Sequence, residues 1–154
     1  MSSGIRVLIL CTGNSARSQM AEGLLRDGGG EAFEVASAGI DPGFVRPEAI
    51  EAMREIGIDI SNHRPKSIDE FRGHPFDYVI TVCDNANQQC PMFPGESQRI
   101  HWSIKDPAAI EGDNKTRLEA FRLARDELKE RLSHFISVAG ESRLVAQRKT
   151  ARLL

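Results

Sequence analysis

At 154 residues, the chain is long enough for one domain with a single buried core. Its 20 basic and 22 acidic side chains give a formal net charge of -2, and this near balance excludes an overall positive field for nucleic acid. No stretch reaches the roughly 18 apolar residues of a membrane span, and the apolar run near the N-terminus is too short for a signal peptide. We therefore expect a cytoplasmic protein.

The first predicted strand, residues 5–10, leads directly into Cys11. Five small or polar residues follow, and Arg17 then starts a predicted helix. Ligands of open α/β sheets bind beyond the carboxyl ends of the strands, where helix N-termini present free amides. Residues 12–17, the cradle loop, are small enough to curl around one tetrahedral oxyanion, with the forked guanidinium on two of its oxygens. The predicted oxyanion-binding residues are Thr12, Gly13, Asn14, Ser15, Ala16, Arg17 and Ser18.

Cys11 is the predicted nucleophile of this loop. The positive field that holds an anion also favours the thiolate, which is the reactive form of cysteine. Ser18, just after Arg17, is expected to hydrogen-bond the sulfur. The spacing between Cys11 and Arg17 is weak by itself, because arginine is abundant in this chain. Its placement between a strand and a helix, around small or polar residues, makes the pattern specific.

The next elements continue the alternation of strand and helix. Apolar side chains of residues 17–27 share one helical face, and a second strand is predicted at 33–39. A second helix is predicted at 46–58, with Pro47 near its start and Gly57 near its end. The remaining predicted strands are 77–82 and 99–102.

Cys83 and Cys90 follow the third predicted strand. Six residues separate them, which is too wide for a C-x-x-C redox pair or a zinc knuckle. The four histidines show no paired ligand spacing either, so we expect no metal site and no cofactor. In a reducing cytosol, three cysteines favour thiol chemistry over structural disulfides. Packing or hydrogen bonding is the expected role of His63, His74 and His101.

A long helix, 115–138, is expected to pack on the sheet through one apolar stripe. The residues after Gly140 include four basic side chains against Glu141 alone, and a frayed or loosely helical terminus is expected there. We divide the chain into a domain, 1–138, and a basic C-terminal tail, 139–154, for which flexibility is expected. The elements together predict an α/β fold, a single-domain open parallel four-stranded sheet with helices on both faces. No spare apolar stripe is evident, which favours a monomer.

Several motifs together resemble a known family. They are CTGNSARSQMAEG, SAGI, DISNH, TVCDNANQQCP and HWSIKDPA, and the similarity runs from residue 5 to about residue 137 with all three cysteines in order. The chain resembles the thioredoxin-coupled arsenate reductases, which share the fold of the low-molecular-weight tyrosine phosphatases.

The resemblance implies that a relay of three thiols reduces arsenate. Cys11 would attack arsenate while Asp106 protonates the departing oxygen. Cys83 would then attack Cys11 and expel arsenite, and Cys90 would attack Cys83 to leave a disulfide that thioredoxin reduces. The polar segment between the two later cysteines must move during these steps. Phosphate and sulfate would compete with arsenate as oxyanions.

The sequence departs from the family at two positions. Ala16 stands where several relatives have a further cysteine, which the three-thiol relay does not need. Some relatives bind potassium through residues that match Asn14, Glu22 and Ser37, together with an acidic ligand. Lys66 stands at the place of that acidic ligand, and its ammonium group could replace the ion. We therefore expect no bound potassium.

Two other functions stay open. A low-molecular-weight tyrosine phosphatase would use Cys11, Arg17 and Asp106 through a phosphocysteine intermediate. Against it, the residues after Asp106 include no aromatic side chain of the kind with which such phosphatases hold their substrate. A thiol redox sensor would signal through the segment between Cys83 and Cys90. Two resolving cysteines favour a dithiol reductant over glutathione.

Overall fold

The structure, a computed structural model, describes residues 4–153, so the first three residues of the predicted domain and Leu154 of the predicted tail lie outside it. Four parallel strands, β1 (Ile5–Cys11), β2 (Phe33–Gly39), β3 (Tyr78–Thr81) and β4 (Gln98–His101), form one sheet in the order β2-β1-β3-β4. Six of the seven residues of the first strand are buried. Because neighbouring residues of a strand face opposite sides, both faces of the sheet are covered, and the predicted fold class is confirmed.

Four α-helices connect and cover the strands. They are α1 (Arg17–Gly29), α2 (Pro47–Arg54), α3 (Asp84–Gln89) and α4 (Asn114–Leu153), and single 3₁₀ turns span Gly30–Ala32, Ile68–Phe71 and Pro107–Ala109. The buried face of α4 carries Phe121, Leu128 and Leu132. Farther along this helix, the ring of Phe135 packs edge to face against the ring of Tyr78 in β3, with 5.0 Å between the ring centroids. Part of the core therefore lies between the sheet and the long last helix, and buried side chains of the other helices, such as Met20 and Met53, complete it.

Two predicted helix ends differ from the structure. The second helix ends at Arg54 rather than 58, because the chain turns over the next residues and Gly57 adopts a left-handed φ of 79°. The last helix continues to Leu153 instead of ending at 138. The residues from 141 onward are good helix formers without proline or glycine, so nothing in the sequence stops the helix.

The extension of α4 leaves the core near Ala139, the last buried side chain among the described residues. Leu144 and Val145 beyond it are about half exposed. The flexibility of this tail, and its separation from the domain, stay predictions. Within residues 4–153 no helix combines the length and apolarity needed to cross a membrane, α4 included.

The loop after β2 supports the cradle loop from behind. Cys11 pairs with Gly39 in the parallel register of β1 and β2, so the two loops leave the sheet side by side. We call residues 40–46 the backing segment. Four of its amides donate hydrogen bonds of 2.8–3.2 Å to carbonyl oxygens of Cys11 and of the cradle loop. The pairs are Ile40 to Cys11, Asp41 to Thr12, Gly43 to Gly13 and Arg46 to Ser15.

Gly39 lets the two loops approach this closely. A Cβ atom here would lie 2.7 Å from the carbonyl oxygen of Thr12 and 2.8 Å from the amide nitrogen of Asn14. Both are backbone atoms that cannot rotate aside, so the contact tolerates no side chain.

We predict that Gly39→Ala lowers the free energy of unfolding by about 1–3 kcal/mol, because the added methyl group pushes the cradle loop away from the backing segment. Gly43→Ala is the matched control, since a Cβ there meets nothing within 4 Å. Urea unfolding of both variants measures the difference. Equal stability of the two would contradict the tight approach at Gly39.

Candidate active site

The amides of the cradle loop face away from the backing segment. The described peptide bonds are all trans, so the carbonyl and the amide of one peptide unit point in opposite directions. Since the carbonyls of residues 11, 12, 13 and 15 point to the backing segment, the amides of the residues that follow them point the opposite way. The amide of Asn14 accordingly lies 3.2 Å from the sulfur of Cys11. This arrangement presents several donors to an anion beside the sulfur.

Cys11 ends β1 with its sulfur buried and hydrogen-bonded. Besides the Asn14 amide, the hydroxyl of Ser18 lies 2.8 Å from the sulfur. The side-chain amide of Asn14 donates to that same hydroxyl oxygen at 2.8 Å. Asn14 thus donates to both partners of the contact between Cys11 and Ser18, through its backbone amide to the sulfur and through its side-chain amide to the hydroxyl.

Asn14 holds the loop in shape from inside. It is fully buried and adopts a left-handed φ of 48°, which asparagine tolerates better than most residues. Its side-chain amide donates to the hydroxyls of Ser18 and Ser37 at 2.8 and 2.9 Å. Its side-chain oxygen accepts from Gln19 and from the amide of Lys66, both at 2.9 Å. All four hydrogen-bonding positions of the side chain are occupied.

A buried carboxylate lies behind Asn14. Glu22 of α1 accepts a hydrogen bond of 2.8 Å from Ser37. The ammonium group of Lys66 lies 3.6 Å from this carboxylate, and Nδ1 of His63 lies 3.4 Å from it. Burial lowers the pKa of Lys66 and the pKa of His63, and the charge of Glu22 opposes both changes. The ammonium group thus lies beside Glu22, while the expected absence of potassium stays a prediction.

Arg17 and Asp106 lie on the open side of the loop. Arg17 begins α1, and its Nη1 donates to the carbonyl of Ile104 at 2.8 Å. Its Nη2 lies 3.8 Å from the carboxylate of Asp106. Asp106 caps a 3₁₀ turn by accepting from the amide of Ala108 at 3.0 Å, and its side chain is 45% exposed. A carboxyl group is therefore available to solvent and to a bound oxyanion near Arg17.

Cys83 reaches the cradle loop from β3. It is buried and caps α3 through the Ala86 amide at 3.4 Å. Its sulfur also lies 3.3 Å from the hydroxyl of Thr12. Asn85 donates to the same hydroxyl at 3.0 Å. Thr12 therefore joins the second cysteine to the loop of the first.

Cys90 lies at the opposite end of α3, half buried. Burial raises the pKa of its thiol, and the positive charge of Arg99 partly offsets that rise. All three cysteines are free thiols.

The structure brings most of the predicted site residues to one edge of the sheet and leaves Cys90 apart. The sequence analysis missed Gln19, whose side chain is fully buried and binds Asn14, His63 and the carbonyl of Arg64. Gln19 lies on the face of the first helix opposite the apolar stripe of Met20, Ala21, Leu24 and Leu25, so the periodicity gave no signal for its burial. His74 packs against the ring of Phe71, whereas His63 and His101 are hydrogen-bonded. Among residues 4–153, no group of three or more His, Cys, Asp or Glu side chains could hold a metal ion.

The sequence matches the model of one known protein family. The model for low molecular weight phosphotyrosine protein phosphatases matches residues 6–149, so the chain belongs to this family. An arsenate reductase of Halalkalibacterium halodurans is 43% identical over 129 residues, which are 84% of this chain and 93% of the relative. The resemblance to arsenate reductases seen in the sequence motifs is confirmed.

Solved structures show the same likeness. An arsenate reductase in the phosphate binding state superposes with a TM-score of 0.71 and 34% identity, over 86% of this chain and 97% of that one. A thioredoxin-dependent arsenate reductase of Corynebacterium glutamicum superposes with a TM-score of 0.64 and 33% identity. That alignment covers 90% of this chain and 65% of the other.

We predict that Asn14→Gly lowers the free energy of unfolding by about 1–3 kcal/mol, because buried partners of the amide lose their hydrogen bonds. Asn14→Ala should cost about 1 kcal/mol more, since alanine adds strain at the left-handed φ that glycine adopts freely. Urea unfolding of both variants separates the two contributions. Equal losses for the two variants would contradict the role of backbone strain.

Proposed function

We propose that the protein reduces arsenate to arsenite through Cys11, Cys83 and Cys90, with thioredoxin as the reductant. The observation that carries the proposal is the meeting of two cysteines at one loop. The sulfur of Cys11 lies among the amides of the cradle loop, and the sulfur of Cys83 contacts Thr12 of that loop.

In the first step, arsenate occupies the cradle loop. The loop amides that point away from the backing segment and the guanidinium of Arg17 bind its negatively charged oxygens. The thiolate of Cys11 attacks arsenic, a sulfur–arsenic bond forms, and one arsenic–oxygen bond breaks. Asp106 gives a proton to the departing hydroxyl group of arsenate, which leaves as water. Arsenic stays in the +5 state in this adduct.

In the second step, the thiolate of Cys83 attacks the sulfur of Cys11. A Cys11–Cys83 disulfide forms, and the electron pair of the broken sulfur–arsenic bond stays on arsenic. Arsenic is thereby reduced from +5 to +3 while two thiols are oxidised. Phosphorus in the analogous adduct does not take up this electron pair, so phosphate binds without being reduced.

In the third step, the thiolate of Cys90 attacks the sulfur of Cys83, and Cys11 leaves as a thiolate. The new Cys83–Cys90 disulfide carries the two-electron oxidation to the far end of α3. A dithiol protein such as thioredoxin then reduces it by exchange. The thioredoxin dependence named for the Corynebacterium glutamicum relative supports this choice of reductant, and the phosphate binding state of the other relative supports an oxyanion in the loop.

The experiment that tests this function is arsenate-dependent oxidation of NADPH, coupled through thioredoxin reductase and thioredoxin. We predict that the native protein turns over and that Cys90→Ser stops after about one equivalent of arsenite, because the Cys11–Cys83 disulfide is no longer resolved. Quantifying arsenite against enzyme gives the stoichiometry. Sustained turnover by Cys90→Ser would exclude the third step.

The same preparation also tests the phosphatase alternative. Rapid hydrolysis of p-nitrophenyl phosphate, without arsenate turnover, would replace the reductase by a phosphatase that uses Cys11, Arg17 and Asp106 alone.

We predict that Asp106→Asn lowers kcat/KM for arsenate by about 100-fold or more, because an amide cannot supply the proton. Asp113→Asn is the matched control. Asp113 also accepts a backbone amide, that of Thr116 at 2.8 Å, so asparagine preserves the turn at either position. Similar small losses in both variants would remove Asp106 from the chemistry.

A further inference from the structure

The edge strand β4 holds both ends of the segment that carries the two resolving cysteines. Arg99 and His101 are alternate residues of this strand, so their side chains leave the same face of the sheet. Each contacts one end of α3. The helix has only six residues, too few to be stable by itself. Its position therefore depends on these contacts.

His101 fixes the N-terminal end. Its Nε2 lies 2.9 Å from the carboxylate of Asp84, and Ser103 donates to the same oxygen at 3.0 Å. The other ring nitrogen lies 2.7 Å from the hydroxyl of Thr81. The hydrogen bonds from His101 and Ser103 lower the pKa of Asp84.

Arg99 fixes the C-terminal end. Its Nη2 donates to the carbonyl of Cys90 at 3.0 Å and to the carbonyl of Pro91. The same nitrogen lies 3.2 Å from the sulfur of Cys90. One guanidinium thus holds the backbone at the cysteine and touches its thiol.

We propose that Arg99 is a positioning residue for the third step, which holds Cys90 at the edge of the sheet and stabilises its thiolate for attack on Cys83. This inference rests on the proposed three-cysteine function. Burial acts against the thiolate at this position, and Arg99 is the charged side chain that the structure places against the sulfur. Within α3 itself, the charged side chain is Asp84 at the end of the helix opposite Cys90, and the other five residues are uncharged.

The chemistry assigned to Arg99 is electrostatic. The thiolate of Cys90 attacks the sulfur of Cys83, the Cys83–Cys90 bond forms, and the Cys11–Cys83 bond breaks with its electron pair on Cys11. No external oxidant or reductant takes part in this exchange. A guanidinium beside Cys90 increases the thiolate fraction at neutral pH, and the two carbonyl contacts limit where the sulfur can move before the attack.

The first test measures Cys90 alone, in the full chain with Cys11→Ser and Cys83→Ser. The rate constant of alkylation by iodoacetamide is followed from pH 6 to pH 10. The midpoint of this profile reports how well the thiolate is stabilised, and the plateau at high pH reports access to the sulfur. Arg99→Gln is compared with Arg99→Lys, which keeps the charge without the fork, and with Arg72→Gln, a remote exposed arginine paired with Asp69.

We expect Arg99→Gln to move the midpoint to higher pH, with Arg99→Lys between it and the native residue and Arg72→Gln unchanged. A tenfold loss of thiolate is partly offset by about a threefold gain in intrinsic nucleophilicity, so the rate constant at pH 7 should fall about threefold. An unchanged midpoint in Arg99→Gln would overturn the proposal. A change in the plateau alone would show only altered access and would overturn it as well.

The second test follows the disulfides after one turnover of arsenate without thioredoxin, in the three-cysteine protein. Peptide mass spectrometry after acid quenching distinguishes the Cys11–Cys83 bond from the Cys83–Cys90 bond. Arg99→Gln should accumulate the first bond at early times, and Arg99→Lys should accumulate less of it. Equal time courses for native protein and Arg99→Gln would overturn the role of Arg99 in the exchange.

Failure of the proposed function has a different signature. If the native protein forms neither disulfide with arsenate, the relay itself is wrong, and the alkylation profile still reports the effect of Arg99 on Cys90. If both disulfides form but Arg99 variants behave as the native protein does, the relay stands and the inference on Arg99 falls.

Discussion

The hydrogen bonds between the cradle loop and the backing segment fix the shape of the loop and the direction of its amides, on which the rest of the site depends. A loop of small residues has many possible shapes, and this one is selected because its carbonyls are paired on one side. The pairing leaves the amides on the other side, next to the sulfur of Cys11. It depends in turn on the parallel register that sets Cys11 opposite Gly39. The position of Cys11, the direction of the loop amides and the support behind them therefore follow from one strand pairing.

The buried polar residues behind the loop give it a second constraint. Glu22 accepts from Ser37, Asn14 donates to Ser18 and Ser37, and Ser18 is hydrogen-bonded to the sulfur of Cys11. A buried network of this kind stabilises a structure only when every member is paired, so the hydrogen bonds from Glu22 to Cys11 hold the loop as a unit.

The features that could be predicted from the sequence are those determined by residues close together along the chain. Cys11, the small loop and Arg17 form a local pattern at the end of a strand, and the fold class follows from the alternation of apolar segments. The contact of Thr12 with Cys83 joins residues 71 positions apart, and no local pattern indicates it. Gln19 and Arg99 were missed for the same reason. The end of the last helix was predicted too early because the apolar stripe fades near Ala139, although helix formers continue to Leu153.

The arrangement of the three thiols suggests where a reductant meets the protein. Cys11 and Cys83 are buried, whereas Cys90 is partly exposed beside an edge strand. A protein dithiol cannot enter the cradle loop, so the proposed relay must carry the oxidation outward to a sulfur that it can reach. The six-residue α3 connects Cys83 and Cys90, and it lies on the surface with most of its residues exposed. Because so short a helix is marginal in water, contacts with the rest of the protein hold it in place. They are the contacts of β4 at its two ends, the hydrogen bond from Asn85 to Thr12 and the burial of Ala86. In the proposed relay, β4 acts at the sulfur to which the oxidation passes, since its Arg99 contacts Cys90.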